Sequence, residues 1–170
     1  MQISKSFWLI FVAAALAFGA PVAFVPSAHA GNGTAVGVVN LDTVDSASLG
    51  DYDVDDDVDP AKAIGIKLKA KKGVKTLAYA LIEYNTSSCA FIDSGTWKVS
   101  KKPKAGNTST GLLSGNLNSG DHCNGTHFSN FGAIYYTATK PKKKDAFAAS
   151  WSTSDHNFDL HFSFKVKITK

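Results

Sequence analysis

Three groups of side chains in this sequence have the types and spacing for chemistry. Asp51, Asp53 and Asp55 form a D-x-D-x-D run, continued by Asp57 and Asp59. Hard carboxylate oxygens at alternate positions converge on Ca²⁺ when the backbone turns sharply. An EF-hand starting at Asp51 calls for glycine at the sixth loop position and glutamate at the twelfth. The chain has Asp56 and Lys62 there, so this is not an EF-hand. A looser calcium site on Asp51, Asp53, Asp55 and Asp57 is the chemical reading, and a solvated acidic loop is the plainer one. No other cofactor is expected.

The second group is Asp121, His122, Cys123 and His127. Histidine and cysteine suit zinc, but the ligand is the thiolate, which a disulfide would consume. The third group is lysine. Lys101, Lys102 and Lys104 flank Pro103, and Lys142, Lys143 and Lys144 follow Lys140-Pro141. Lysine acts as a flexible point charge toward anions. The chain has no arginine, so the bidentate fork used for phosphate and base recognition is missing. Sequence-specific nucleic-acid binding is not expected.

Catalytic groupings do not emerge. Asp159, His161 and Ser163 share a strand face, where alternate residues lie ~7 Å apart, too far for a hydroxyl–imidazole–carboxylate chain. Glu83 is the only glutamate, and its spacing from the aspartates suggests no acid/base pair. A non-enzyme is the expectation. An exported hydrolase with an unrecognised site and a calcium-stabilised structural module are the alternatives.

The setting for these groups comes from the chain's start. Lys5, the apolar run Phe7–Phe18 and the small-residue exit Ala28-His29-Ala30 have the order of a secretory signal peptide. Gly19 and Pro21 interrupt the apolar run, which is too short for a membrane span. Residues 1–30 are therefore expected to be cleaved, leaving no transmembrane anchor and a secreted or periplasmic product. Export favours oxidation, and Cys89 and Cys123 are the only cysteines, so one disulfide is expected. N-x-S/T sequons at Asn32, Asn85, Asn107 and Asn124 would accept glycans in a eukaryotic secretory route.

Charge is distributed unevenly. The stretch from Asp42 to Asp59 holds eight aspartates and no lysine, whereas the chain beyond Pro60 is rich in lysine. Residues 31–61 are expected to be an acidic lead-in, and residues 62–170 a single β domain.

Strand signals dominate that domain. Phe158, Leu160, Phe162, Phe164, Val166 and Ile168 alternate with polar residues, as do Ile64, Ile66, Leu68 and Ala70. Period-two alternation specifies a strand with one buried face. Val74–Tyr84 is apolar on both sides and is expected to be a central strand covered on both faces. Phe131–Thr139, Ala146–Ser152 and Trp97–Ser100 are further strands, rich in aromatic and small residues. Lys72-Gly73, Asp93-Ser94-Gly95 and Asn124-Gly125 punctuate them as turns. The expected fold is all-β, a single antiparallel β-sandwich with one disulfide.

The order of elements adds a resemblance. A strand leads to Lys102-Pro103-Lys104-Ala105-Gly106, then to Ile134-Tyr135-Tyr136-Thr137, a lysine-rich turn, Asp145-Ala146-Phe147 and the closing Val166-Lys167-Ile168. Over about Phe91–Lys170 this resembles the bacterial immunoglobulin-like or cadherin-like repeat of secreted and surface proteins. That family shows a Pro-x-x-Gly turn, a later Tyr-Thr, a D-x-F strand opening and a final Val-x-Ile. The chain departs from it in having one copy, Lys144 where glycine commonly precedes D-x-F, and the cysteine pair. The resemblance implies an immunoglobulin-like sandwich with a binding or adhesive role, and no catalytic residues. The expected partner is an anionic glycan, a cell-envelope polymer or a protein, met by Lys101, Lys102, Lys104, Lys142, Lys143 and Lys144.

Overall fold

A computed structural model of the chain describes residues 29–30, 33–40, 63–156 and 158–170. The expected calcium ligands Asp51, Asp53, Asp55 and Asp57, and all of the expected signal peptide but its last two residues, lie outside them. The described chain is entirely strand and turn. Its strands are β1 (His29–Ala30), β2 (Thr34–Val39), β3 (Ile64–Lys71), β4 (Lys75–Asn85), β5 (Phe91–Asp93), β6 (Thr96–Lys101), β7 (Gly106–Asn118), β8 (His127–Ala138), β9 (Lys144–Ser152) and β10 (Asp159–Thr169).

They form two sheets. The first has the order β1-β2-β7-β8-β4-β5, with a further pairing of β2 to β4. That extra pairing closes β2, β7, β8 and β4 into a ring, so the first sheet curls on itself. The second sheet has the order β3-β10-β9-β6. β2 falls within residues 31–61, expected to lead into the sandwich, and is built into the first sheet. Pairings are antiparallel except one: β3 runs parallel to β10, with Ile64 opposite Phe162 and Lys71 opposite Thr169.

Two apolar cores follow from this shape. Between the sheets lie Ile66, Leu68, Phe147, Trp151, Phe162, Phe164 and Val166 of the second sheet, against Tyr79, Leu81, Ile134 and Tyr136 of the first. Inside the curl lie Val39, Leu77, Ile82, Tyr84, Leu117 and Phe131. β4 serves both. Nine of its eleven residues are buried, because one face meets the second sheet and the other lines the curl. The shift in β4–β8 register between Leu77 and Tyr79 is a bulge, which moves Leu77 onto the same face as Ala80 and Ile82. Gly37 lets β2 close the ring, since a Cβ there would run into the Leu117 side chain and touch the Tyr84 ring.

The disulfide seals the curl at one end. Cys89, in the turn after β4, joins Cys123, in the loop between β7 and β8, with Cα atoms 5.3 Å apart. The Asn85 side-chain carbonyl accepts the Ser87 and Ser88 N–H groups at 2.9 Å each. This turns the chain toward Cys89, whose φ of 54° lies in the left-handed region. Beside the bridge, the Asp121 carboxylate accepts the Tyr84 hydroxyl and the Ser119 hydroxyl at 2.7 Å each, and the Cys123 N–H at 2.9 Å.

A candidate anion-binding pole

Strand directions decide where the lysines collect. The turn after β3, the loop between β6 and β7, the loop between β8 and β9, and the end of β10 all emerge at one end of the sandwich. The pairings of Lys71 with Thr169, Gly106 with Ala138, Lys75 with Thr137 and Lys167 with Lys144 place them there. Lys101, Lys102, Lys104, Lys142, Lys143 and Lys144, expected from sequence as the anion-binding set, therefore come together, and all are exposed.

The structure adds lysines to this pole that the two basic loops alone did not reveal. Lys71, Lys72, Lys75, Lys167 and Lys170 are exposed at the same end, beside Lys140 of the second basic loop. Lys72 is brought in by backbone hydrogen bonds: its N–H donates to Thr169 O at 3.1 Å, and the Gly73 N–H donates to Ala138 O at 2.9 Å. Lys75 Nζ sits 4.1 Å from the centre of the Tyr135 ring, a cation–π contact. A lysine before a turn glycine was visible in the sequence. That β3 and β10 end side by side was not.

One carboxylate organises this pole. Asp145, at the start of β9, accepts the Lys104 N–H at 3.0 Å and the Ala146 N–H at 2.9 Å on one oxygen. Its other oxygen accepts the Ala105 N–H at 2.8 Å and the Tyr136 hydroxyl at 2.9 Å. Lys140 Nζ donates to Lys104 O at 3.1 Å, and the Thr139 and Lys140 N–H groups both donate to Ala105 O. The two basic loops are thus tied to each other rather than merely neighbouring. Partial burial acts to raise the Asp145 carboxyl, but its hydrogen bonds outweigh that and hold it below the usual carboxylate range. Burial, and then the hydrogen bond to and charge of Asp145, push the Tyr136 hydroxyl well above its ordinary value.

The knot explains the spacing of Pro103-x-x-Gly106, Tyr136 and Asp145. A Cβ on Gly106 would lie 2.5 Å from Thr137 O and 2.6 Å from the Tyr136 ring, so only glycine lets the loop lie flat against β8. Tyr136 also stacks on Phe147 at 5.8 Å, and Phe147 on Phe164 at 4.3 Å. The aromatic core therefore runs directly into the lysine loops.

Among the described acids only Asp145 lies at this end. Glu83, Asp93, Asp121, Asp155 and Asp159 lie toward the other, by the register of β4, β5, β9 and β10. Asp93 accepts the Gly95 N–H at 2.9 Å and the Ser154 N–H at 2.7 Å. Its partial burial is likewise outweighed by these bonds, which lower its carboxyl.

Cys89, His122 and Cys123 do place ligand atoms within 4.8 Å of one another. Both sulfurs are spent in the bridge, so the zinc reading of this loop falls. His127 is not drawn in; its Nδ1 meets the Asn116 side-chain oxygen at 3.0 Å. His161 is an exposed strand residue 3.9 Å from Asp159.

No helix among the described residues is long and apolar enough to cross a membrane. In comparisons with known proteins, no family model, no curated protein and no solved structure matches the chain.

Proposed function

We propose that the protein is an exported, non-enzymatic immunoglobulin-like sandwich that binds an anionic surface polymer, such as a cell-envelope polymer or acidic glycan, through its lysine pole. One observation carries this reading: four separate chain segments deliver lysines to one end, where the single described side-chain carboxylate is already occupied by backbone N–H groups and a tyrosine hydroxyl. Such a concentration of one sign of charge attracts polyanions over a distance set by the Debye length. Lysine ammonium groups without guanidinium forks favour a repeating, loosely registered anion over one small ligand held in fixed geometry. The disulfide supports an oxidising, extracytoplasmic setting.

The test is retention on a sulfated or phosphorylated polysaccharide matrix. Changing Lys101, Lys102, Lys104, Lys142, Lys143 and Lys144 together to glutamine should sharply lower the salt needed for elution and leave the circular dichroism spectrum unchanged. Changing Lys98, which pairs with Ser150 toward the far end of β9, should lower it much less. Equal retention of the six-lysine variant and the parent would remove this reading.

A further inference from the structure

We propose that β7 is a self-association edge, along which residues 106–113 of two copies of this chain pair antiparallel about a two-fold axis. β7 pairs with β8 along its length, but β2 reaches its other side only at Leu117 and Asn118, with the Asn40 N–H donating to Asn116 O. Among the described residues no strand lies against that side from Gly106 to Leu113. An edge of this length is a template for another chain, and proteins usually blunt it with lysine, proline or brevity.

The other outer strands follow that rule. β3 carries exposed Lys67, Lys69 and Lys71, β6 carries Lys98 and Lys101, and β5 is three residues long. β7 has thirteen residues, GNTSTGLLSGNLN, with no charge and no proline. Residues 106–113 are half-exposed or exposed throughout, and Leu112 is 64% exposed.

Charge selects the occupant and its direction. Parallel addition of a second copy would set lysine pole against lysine pole. Antiparallel addition sets the Lys102–Lys104 loop of each copy beside the opposite end of the other, where Asp93, Asp121, Asp155 and Asp159 lie. The uncharged strands add no like-charge pairs across the seam. The resulting interface is isologous and closed, as two-fold dimers are, and it leaves the outer face of the second sheet open.

Sedimentation equilibrium of the oxidised, exported protein tests this from low micromolar to sub-millimolar concentration. The expected result is a monomer–dimer equilibrium that weakens as salt is added. Placing lysines on the edge in a T110K/L112K variant should raise the dissociation constant at least about tenfold, with an unchanged circular dichroism spectrum, because both side chains are solvent-facing. Hydrogen exchange should show amides of 106–113 gaining protection with concentration. A monomer at every concentration would overturn the proposal, as would a dimer indifferent to T110K/L112K. So would full protection of these amides at the lowest concentration, which would mean that the chain's own residues beyond Asn40 already cover the edge.

Discussion

Asp145 concentrates more consequence than any other described residue. It gathers three backbone N–H groups and one hydroxyl, and so fixes both basic loops. Hydrogen bonds to a charged acceptor contribute about 1.5–3 kcal/mol each when a partner is deleted outright, and less where water can replace them. Asp145→Ala should therefore lower stability by about 2–3 kcal/mol, read from the denaturant midpoint. The same residue predicts the response to acid. A carboxyl held below its unfolded value stabilises the fold fully above that value, and the contribution is lost as pH falls through the folded one. Asp93, Asp121 and Asp145 all shift this way. Stability should thus hold through neutral pH and fall once the pH drops below the ordinary aspartate range near 4. In Asp145→Asn that acid-dependent loss should be smaller, as a urea titration at several pH values would show. Gly106→Ala makes a steric counterpart. Its methyl meets Thr137 O and the Tyr136 ring, and overpacking of this kind costs about 1–3 kcal/mol. A melting point equal to the parent's would contradict that placement.

At the scale of elements, the sequence was most readable where one face is wet and the other dry. The alternation through Phe158–Ile168 is β10, that of Ile64–Ala70 is β3, and the two-sided apolar run became β4 between two cores. Trp97–Ser100 and Ala146–Ser152 lie in β6 and β9, and Phe131–Thr139 lies in β8 but for Thr139. β7 was not legible. Its glycine, asparagine, serine and threonine carry turn chemistry, and much of it is exposed on both faces, so no apolar rhythm marks it. β2 escaped because five of its six residues, TAVGVV, are buried, so no alternation of apolar and polar residues marks it. Strand direction was invisible too, since a period of two is the same in parallel and antiparallel ladders, so the β3–β10 pairing had no signature. Nor did the four-strand ring, which depends on Gly37 yielding space to Leu117. The cysteine pair was readable from number and compartment alone. It closes a loop with sequence separation 34. In the chain-entropy model such a closure is worth about 3–4 kcal/mol. A Cys89→Ser/Cys123→Ser double variant should unfold at correspondingly lower denaturant, with the loss expected first in the β7–β8 loop by hydrogen exchange.

Across the whole molecule, most of the described lysines gather at one pole, and the opposite end holds all but one of the described acids. The aromatic core spans the distance between them, from Trp97 and Phe162 through Phe164 and Phe147 to Tyr136. Polarity of this kind orients a protein as it approaches a charged surface, and it should fade as salt rises. The proposed attachment should accordingly weaken steeply with ionic strength while the fold, built on buried rings, does not. A binding isotherm unchanged between low and high salt, beside an unaltered melting curve, would speak for an apolar contact instead.

The second sheet is assembled around β10, which sits between β3 and β9 yet follows every other described strand in the chain. Until that segment arrives, β3 has no neighbour in its sheet, and the rings of Trp97 and Phe147 lack Phe162 and Phe164 beside them. Pairing partners so remote in sequence form slowly. Closure of the second sheet is therefore the expected late step of folding, because the last described strand must reach back across most of the described chain to dock between its two neighbours.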